Sequence, residues 1–240
     1  MQSADLVKDA PPSGQAILQV INTLQCPVTL NLENKNITVA SHRKSSEQHL
    51  SVHKNLTLMI TSPTNCNHLS NASLSYSLKD LKEKEWYNFV VGGVGTNNKL
   101  VEQLVKQNIT LPPPGKAKLC IILLLLSSVD KTFDIWLDKD RIQEKVSAMG
   151  NSFCSVVSAD HYKLTVKGRN SGKMYVSSQV VLKNGAIYTA VVQENRKAKT
   201  PTADVTLYED VEAKSVSMLY QIPQYFVITS GEILFSITGE

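Results

Sequence analysis

The chain has 240 residues, 42% hydrophobic and 19% charged, with a formal net charge of +4. That length suffices for one large domain or two of ordinary size, and the composition excludes wholesale disorder. The small charge gives no basis for a nucleic-acid partner, because the densest basic groups, His42-Arg43-Lys44 and Arg196-Lys197 with Lys199, sit in polar, loop-like sequence.

In chain order, residues 1–14 lack the apolar core of a secretory signal and read as a disordered N-terminal segment. Apolar and polar side chains then alternate at 16–22, 28–32, 56–61, 74–78 and 86–91, the period that puts every second side chain on one face of a strand. Gly92-Gly93-Val94-Gly95 follows as a turn, leading into a helix-compatible stretch at 99–106. A dinucleotide fingerprint there would need a third glycine where Asn98 stands and an acid where the chain has prolines. Leu111-Pro112-Pro113-Pro114-Gly115 is stiff and extended, so 15–111 is expected as a first β-sandwich lobe, 112–115 as a linker and 116–217 as a second lobe.

The second half opens on the apolar run 119–129, too short to span a bilayer as a helix and expected as a strand buried on both faces. Alternation resumes at 133–137, 162–166, 174–182, 187–192 and 205–208, which completes an all-β, sandwich-like pattern. The last stretch, 222–239, is mostly apolar with Glu232 in its middle, and its period fits either a β-hairpin or the start of a membrane helix.

Four cysteines, Cys26, Cys66, Cys120 and Cys154, fall two to each half. They permit one bridge per lobe, Cys26 with Cys66 and Cys120 with Cys154, or four buried thiols. Acceptor sequons stand at Asn36, Asn55, Asn71 and Asn108, all in the first half. His42, His49, His53 and His68 lack the paired spacing of a zinc site, and the nucleophile-elbow, zincin and phosphate-loop motifs are all missing. No cofactor, metal or catalytic residue is expected.

Three stretches carry a resemblance. Residues 218–239, MLYQIPQYFVITSGEILFSITG, resemble the start of the tenth transmembrane helix of the animal proton-coupled oligopeptide transporters, solute carrier family 15. EKEWYNFVV at 83–91 and LKNGAIY at 182–188 resemble strands of that family's large extracellular insertion, and Tyr208-Glu209-Asp210 fits its acidic step before the helix. The resemblance implies two tandem immunoglobulin-like β-sandwich lobes at the extracellular face of the plasma membrane, followed by a short apolar helix over 218–240 that enters the bilayer. It implies the membrane portion of a peptide transporter as partner, with Glu232 an acid within the helix. It also implies a trypsin-like protease as a second partner, held through Glu209 and Asp210, although Lys183 replaces an acid of that surface. No transport residue is assigned, since the family's motifs near its first helix have no counterpart here. The competing expectation is a stand-alone binding or adhesion ectodomain.

Overall fold

A computed structural model describes residues 11–33, 35–53, 56–61, 73–79, 81–92, 100–125, 128–149, 152–195 and 202–211. Every regular element among them is a strand, and no helix among them is long and apolar enough to cross a membrane. The terminal segment with Glu232, together with Asn55, Asn71, Cys66 and His68, lies outside the described residues.

The first half contains β1 (Gln15–Asn22), β2 (Val28–Leu32), β3 (Lys35–Val39), β4 (Arg43–Lys44), β5 (Gln48–Ser51), β6 (Leu56–Thr61), β7 (Ser73–Leu78), β8 (Trp86–Gly92) and β9 (Val101–Lys106). One sheet runs β4-β1-β8-β9, with β5 also on β1, and the other runs β3-β2-β6-β7. Alternation dictates their inner faces: Leu30, Leu58 and Ile60 from one sheet meet Leu18, Val20 and Phe89 from the other in a single core.

The second half contains β10 (Lys116–Leu124), β11 (Thr132–Leu137), β12 (Asp140–Ser147), β13 (Phe153–Ser158), β14 (His161–Gly168), β15 (Met174–Val181), β16 (Ile187–Asn195) and β17 (Thr202–Val211). Its sheets run β13-β10-β16-β17 and β12-β11-β14-β15, enclosing a second core that includes Leu119, Phe133, Leu164 and Val192.

The two lobes repeat one plan. In each, the first strand pairs in parallel with the penultimate one, β1 with β8 and β10 with β16, and antiparallel with a strand at the sheet's edge. The repetition extends to single hydrogen bonds, most of them at one sequence offset. Gln15 N donates to Pro12 O and Lys116 N to Pro113 O; Val52 N donates to Gly14 O and Ala159 N to Gly115 O. Lys82 N donates to the Tyr87 phenol at 3.0 Å and Lys183 N to the Tyr188 phenol at 3.1 Å. Gly14 and Gly115 take φ of 74° and 77°, left-handed values that favour glycine, and each closes a proline-led turn. The proline segment is tied to the second lobe, since Gly115 N also donates to Asn184 Oδ1 at 2.7 Å.

One sequence expectation changes. The stretch 99–106 yields strand β9 in place of a helix, because Val101, Gln103 and Val105 alternate inward while the backbone pairs with β8. The expected bridge between Cys120 and Cys154 is present, Cys26 is disulfide-bonded, and no described cysteine is free. Cys120 and Cys154 are opposite partners on β10 and β13, so the bridge ties neighbouring strands of one sheet and does not span two facing sheets.

Candidate functional site

Strands β1, β8, β10 and β16 are buried along most of their length, so each has a second face that its own core does not cover. Those second faces meet. Ile21, Val90, Val101 and Val105 of the first lobe pack on Ile122, Leu124, Val191 and Tyr208 of the second in a third, separate core. Ile21 and Ile122 occupy corresponding places in the two lobes, as do Val90 and Val191, so the lobes join through the same face of the repeated plan. This explains the first part of the run at 119–129: residues 119–125 are buried on both faces, as the sequence suggests, whereas Val129 is exposed.

Polar bonds fix the register of that contact. Asn88 Nδ2 donates to Thr189 Oγ1 at 3.4 Å, again between corresponding positions, and Gln193 Nε2 donates to Thr23 O at 2.9 Å. Gly92 marks the closest approach: a Cβ there would stand 1.9 Å from Thr23 Oγ1 and 3.1 Å from Leu124 Cδ1. Gly92→Ala is therefore expected to cost about 2 kcal/mol by overpacking, readable as a lower urea midpoint.

The Tyr208 hydroxyl donates to Asn22 O across the junction at 3.2 Å. Burial pushes this phenol up to about 12, against a small opposing effect of Thr206. The native state therefore keeps a proton that the unfolded chain releases near pH 10, and stability should fall as pH rises from about 10 through 12. Of the eight tyrosines, one should titrate near the top of that range in ultraviolet absorbance, and Tyr208→Phe should remove that step.

Asp210 closes one side of the junction. Its Oδ1 pairs with Lys44 Nζ at 2.5 Å and its Oδ2 accepts from Thr189 Oγ1 at 2.5 Å, with side-chain exposures of 4% for Asp210 and 13% for Lys44. Glu209 points the other way and pairs with Lys183 Nζ at 3.0 Å. The two acids expected to form a protease-holding surface are thus separated in role: Asp210 is buried between the lobes, and Glu209 is bound to the lysine that departs from the family pattern.

A groove of about 760 Å³ runs beside the junction, between the start of β8, the segment after β9 and the start of β13, with Trp86, Gln107, Asn108, Thr110 and Ser152 in its wall. Gln107 follows β9, and its N donates to Trp86 O at 2.8 Å. Among the described residues its buried side-chain Nε2 has no hydrogen-bond partner.

Lys118, 4% exposed, reaches the groove's rim from β10: its Nζ donates to Asn108 Oδ1 at 3.0 Å and to Thr110 O. Burial lowers its ammonium below the usual lysine range. Asn108 is exposed, and Asn36 is exposed on β3, where its Oδ1 accepts from Asn31 Nδ2 at 2.8 Å. His42, His49 and His53 lie exposed and apart, and among the described residues no three of His, Cys, Asp and Glu are grouped to hold a metal.

No protein-family profile matches the chain. Individual relatives do. Solute carrier family 15 member 2 of Homo sapiens is 26% identical over 233 residues, which is 95% of this chain and 30% of the relative. The Danio rerio member 2 is 27% identical over 97% of this chain and 31% of its own length. Solute carrier family 15 member 1 of Homo sapiens is 43% identical over 58 residues, or 24% of this chain. The likeness to solute carrier family 15 thus covers nearly the whole chain, which spans about three-tenths of the member 2 relatives it matches. Among solved structures, the CBM26-family domain CBMbc of Eubacterium rectale, crystallised with maltoheptaose, overlays at a TM-score of 0.25 with 14% identity. It covers 84% of this chain and 98% of that one, and at this score the overlay carries no argument.

Proposed function

We propose, from this similarity to solute carrier family 15, that the chain is the extracellular region of a proton-coupled di- and tripeptide transporter. Its two lobes are immunoglobulin-like β-sandwiches that perform no catalysis and stand on the membrane portion that does the moving. The observation that carries this reading is the match of 95–97% of the chain to less than a third of the member 2 proteins. The named relatives are solute carriers, not enzymes, and translocation requires a helix bundle with two access states. The junction supports the reading from the physical side. Its apolar core and buried ion pair hold the two lobes as one body, as a domain projecting from a membrane surface requires.

An epitope placed in the turn between Lys139 and Asp140 tests topology in cells that express the gene product carrying this chain. Antibody should stain intact cells, and an inward proton gradient should drive uptake of a labelled dipeptide. The chain alone, reconstituted with liposomes, should give no uptake above empty vesicles. Staining that appears only after permeabilisation, or uptake by the isolated chain, would overturn the assignment.

A further inference from the structure

We propose that Asn108 carries an N-linked glycan whose first sugars occupy the groove between the lobes. The inference rests on the extracellular reading, which supplies the compartment, and goes beyond it by giving the groove an occupant.

The local geometry prepares the amide. Both hydrogen bonds to the Asn108 side chain, from Lys118 Nζ at 3.0 Å and from Thr110 N at 3.2 Å, are accepted by Oδ1. The nitrogen makes none among the described residues. Lys118 therefore orients the side chain by its oxygen and leaves Nδ2 as the reactive atom, and the same two bonds persist after a sugar is attached. Asn108-Ile109-Thr110 is itself the acceptor sequence and forms part of the groove wall. In the step, Nδ2 bonds to C1 of the first sugar of a lipid-pyrophosphate oligosaccharide. The C1–O bond to the pyrophosphate breaks, the lipid pyrophosphate leaves, and the amide gives up one proton.

The groove suits such an occupant in size and chemistry. Its 760 Å³ lies in the range of about 300–1,000 Å³ typical of cavities that hold small organic ligands. Ser152 and Thr110 provide hydroxyls, and the buried Gln107 Nε2 is a donor with no acceptor, an arrangement proteins rarely leave uncompensated. Hydroxyl and acetamido oxygens supply acceptors. Asn36 also lies in a sequon, but on β3, in the sheet that does not take part in the lobe contact.

The test uses the full chain behind a cleavable secretory leader, which imposes the glycosylating compartment. Enzymatic deglycosylation in heavy-oxygen water should convert Asn108 to a labelled aspartate. Trimming the glycan to its first sugar should speed amide exchange in peptides covering 106–110 and 152–156 by roughly tenfold, with no change around Asn36. Thr110→Ala, which abolishes the acceptor sequence while leaving the Asn108 amide in place, should show the same fast exchange without trimming. An unmodified Asn108 overturns the proposal, as does a modified one whose trimming leaves exchange unaltered. Because the leader fixes the compartment, either result leaves the native topology to the antibody experiment.

Discussion

Asp130→Ala should cost the second lobe at least about 4 kcal/mol, because it strands four donors that converge on one carboxylate. Asp130 is 1% exposed and follows the apolar run of β10. Its Oδ1 accepts from Asn170 N at 3.1 Å and Ser171 N at 3.0 Å, and its Oδ2 from Ser171 Oγ at 2.5 Å and the Tyr175 hydroxyl at 2.9 Å. The carboxylate thereby pins the β14–β15 turn to the opening of β11. Gly168 leaves room for it, since a Cβ there would stand 2.0 Å from Oδ2. The Ser171 hydroxyl foremost, with the Ser171 amide, the Tyr175 phenol and the Asn170 amide, holds the Asp130 carboxyl below its usual range against the opposing effect of burial. A carboxylate with a depressed native value stabilises the fold above the ordinary aspartate range, near pH 4, and that contribution is lost as pH falls through the native value. Asp130→Asn keeps an acceptor but misplaces a donor, so about half the loss is expected. Chemical denaturation of the three proteins at pH 7 and pH 3 decides it. A loss below about 1 kcal/mol for the alanine variant, or a difference between wild type and variant that does not shrink in acid, would sink the account.

The second large effect lies between the lobes. Asp210→Ala leaves Lys44, at 13% side-chain exposure, without its 2.5 Å carboxylate partner and strips Thr189 of its acceptor. Breaking a buried ion pair from one side costs about 3–5 kcal/mol, whereas replacing both partners with apolar groups of similar volume is close to neutral. The expected pattern is therefore a strongly destabilised Asp210→Ala and a Lys44→Met/Asp210→Leu double variant that regains most of the loss. Glu209→Ala, which removes the more exposed pair with Lys183, should change stability by less than about 1 kcal/mol. Equal effects of Asp210→Ala and Glu209→Ala would refute the placement of Asp210 in the junction.

Strands were legible where one face is apolar and the other polar. β2, β6 and β11 lie within a residue of where their alternation puts them. β12 was not, because Asp140–Ser147 is polar along most of its length and is held by pairing with β11 alone; Val146 is its one fully buried side chain. β9 is helix-compatible in sequence for a related reason: six residues with Val at 101 and 105 fit both periods, and pairing with β8 decides between them. The duplication was visible in principle. Pro-Pro-Ser-Gly-Gln-Ala at 11–16 matches Pro-Pro-Pro-Gly-Lys-Ala at 112–117, and Tyr-Asn-Phe-Val-Val at 87–91 matches Tyr-Thr-Ala-Val-Val at 188–192. Few identities per strand survive at the same offset, so the signal emerges only when the two hydrogen-bond patterns are laid over each other. Of the groove, the sequence announced Asn108 through its sequon but gave no sign of Gln107 or Lys118.

By itself the sequence determined the strand character of the described residues and that the run at 119–129 is too short to span a bilayer as a helix, because strand period and run length are properties of neighbours along the chain. It also carried the likeness to solute carrier family 15. The tertiary structure alone decided where the charges go. Lys44 meets Asp210 from 166 positions away and Tyr175 meets Asp130 from 45, and no local pattern of residues encodes such a meeting. Whether an acid is a surface handle or an interlobe bolt depends on which face of which sheet it occupies once the lobes have packed, and that is settled by burial of the second apolar face of β1, β8, β10 and β16.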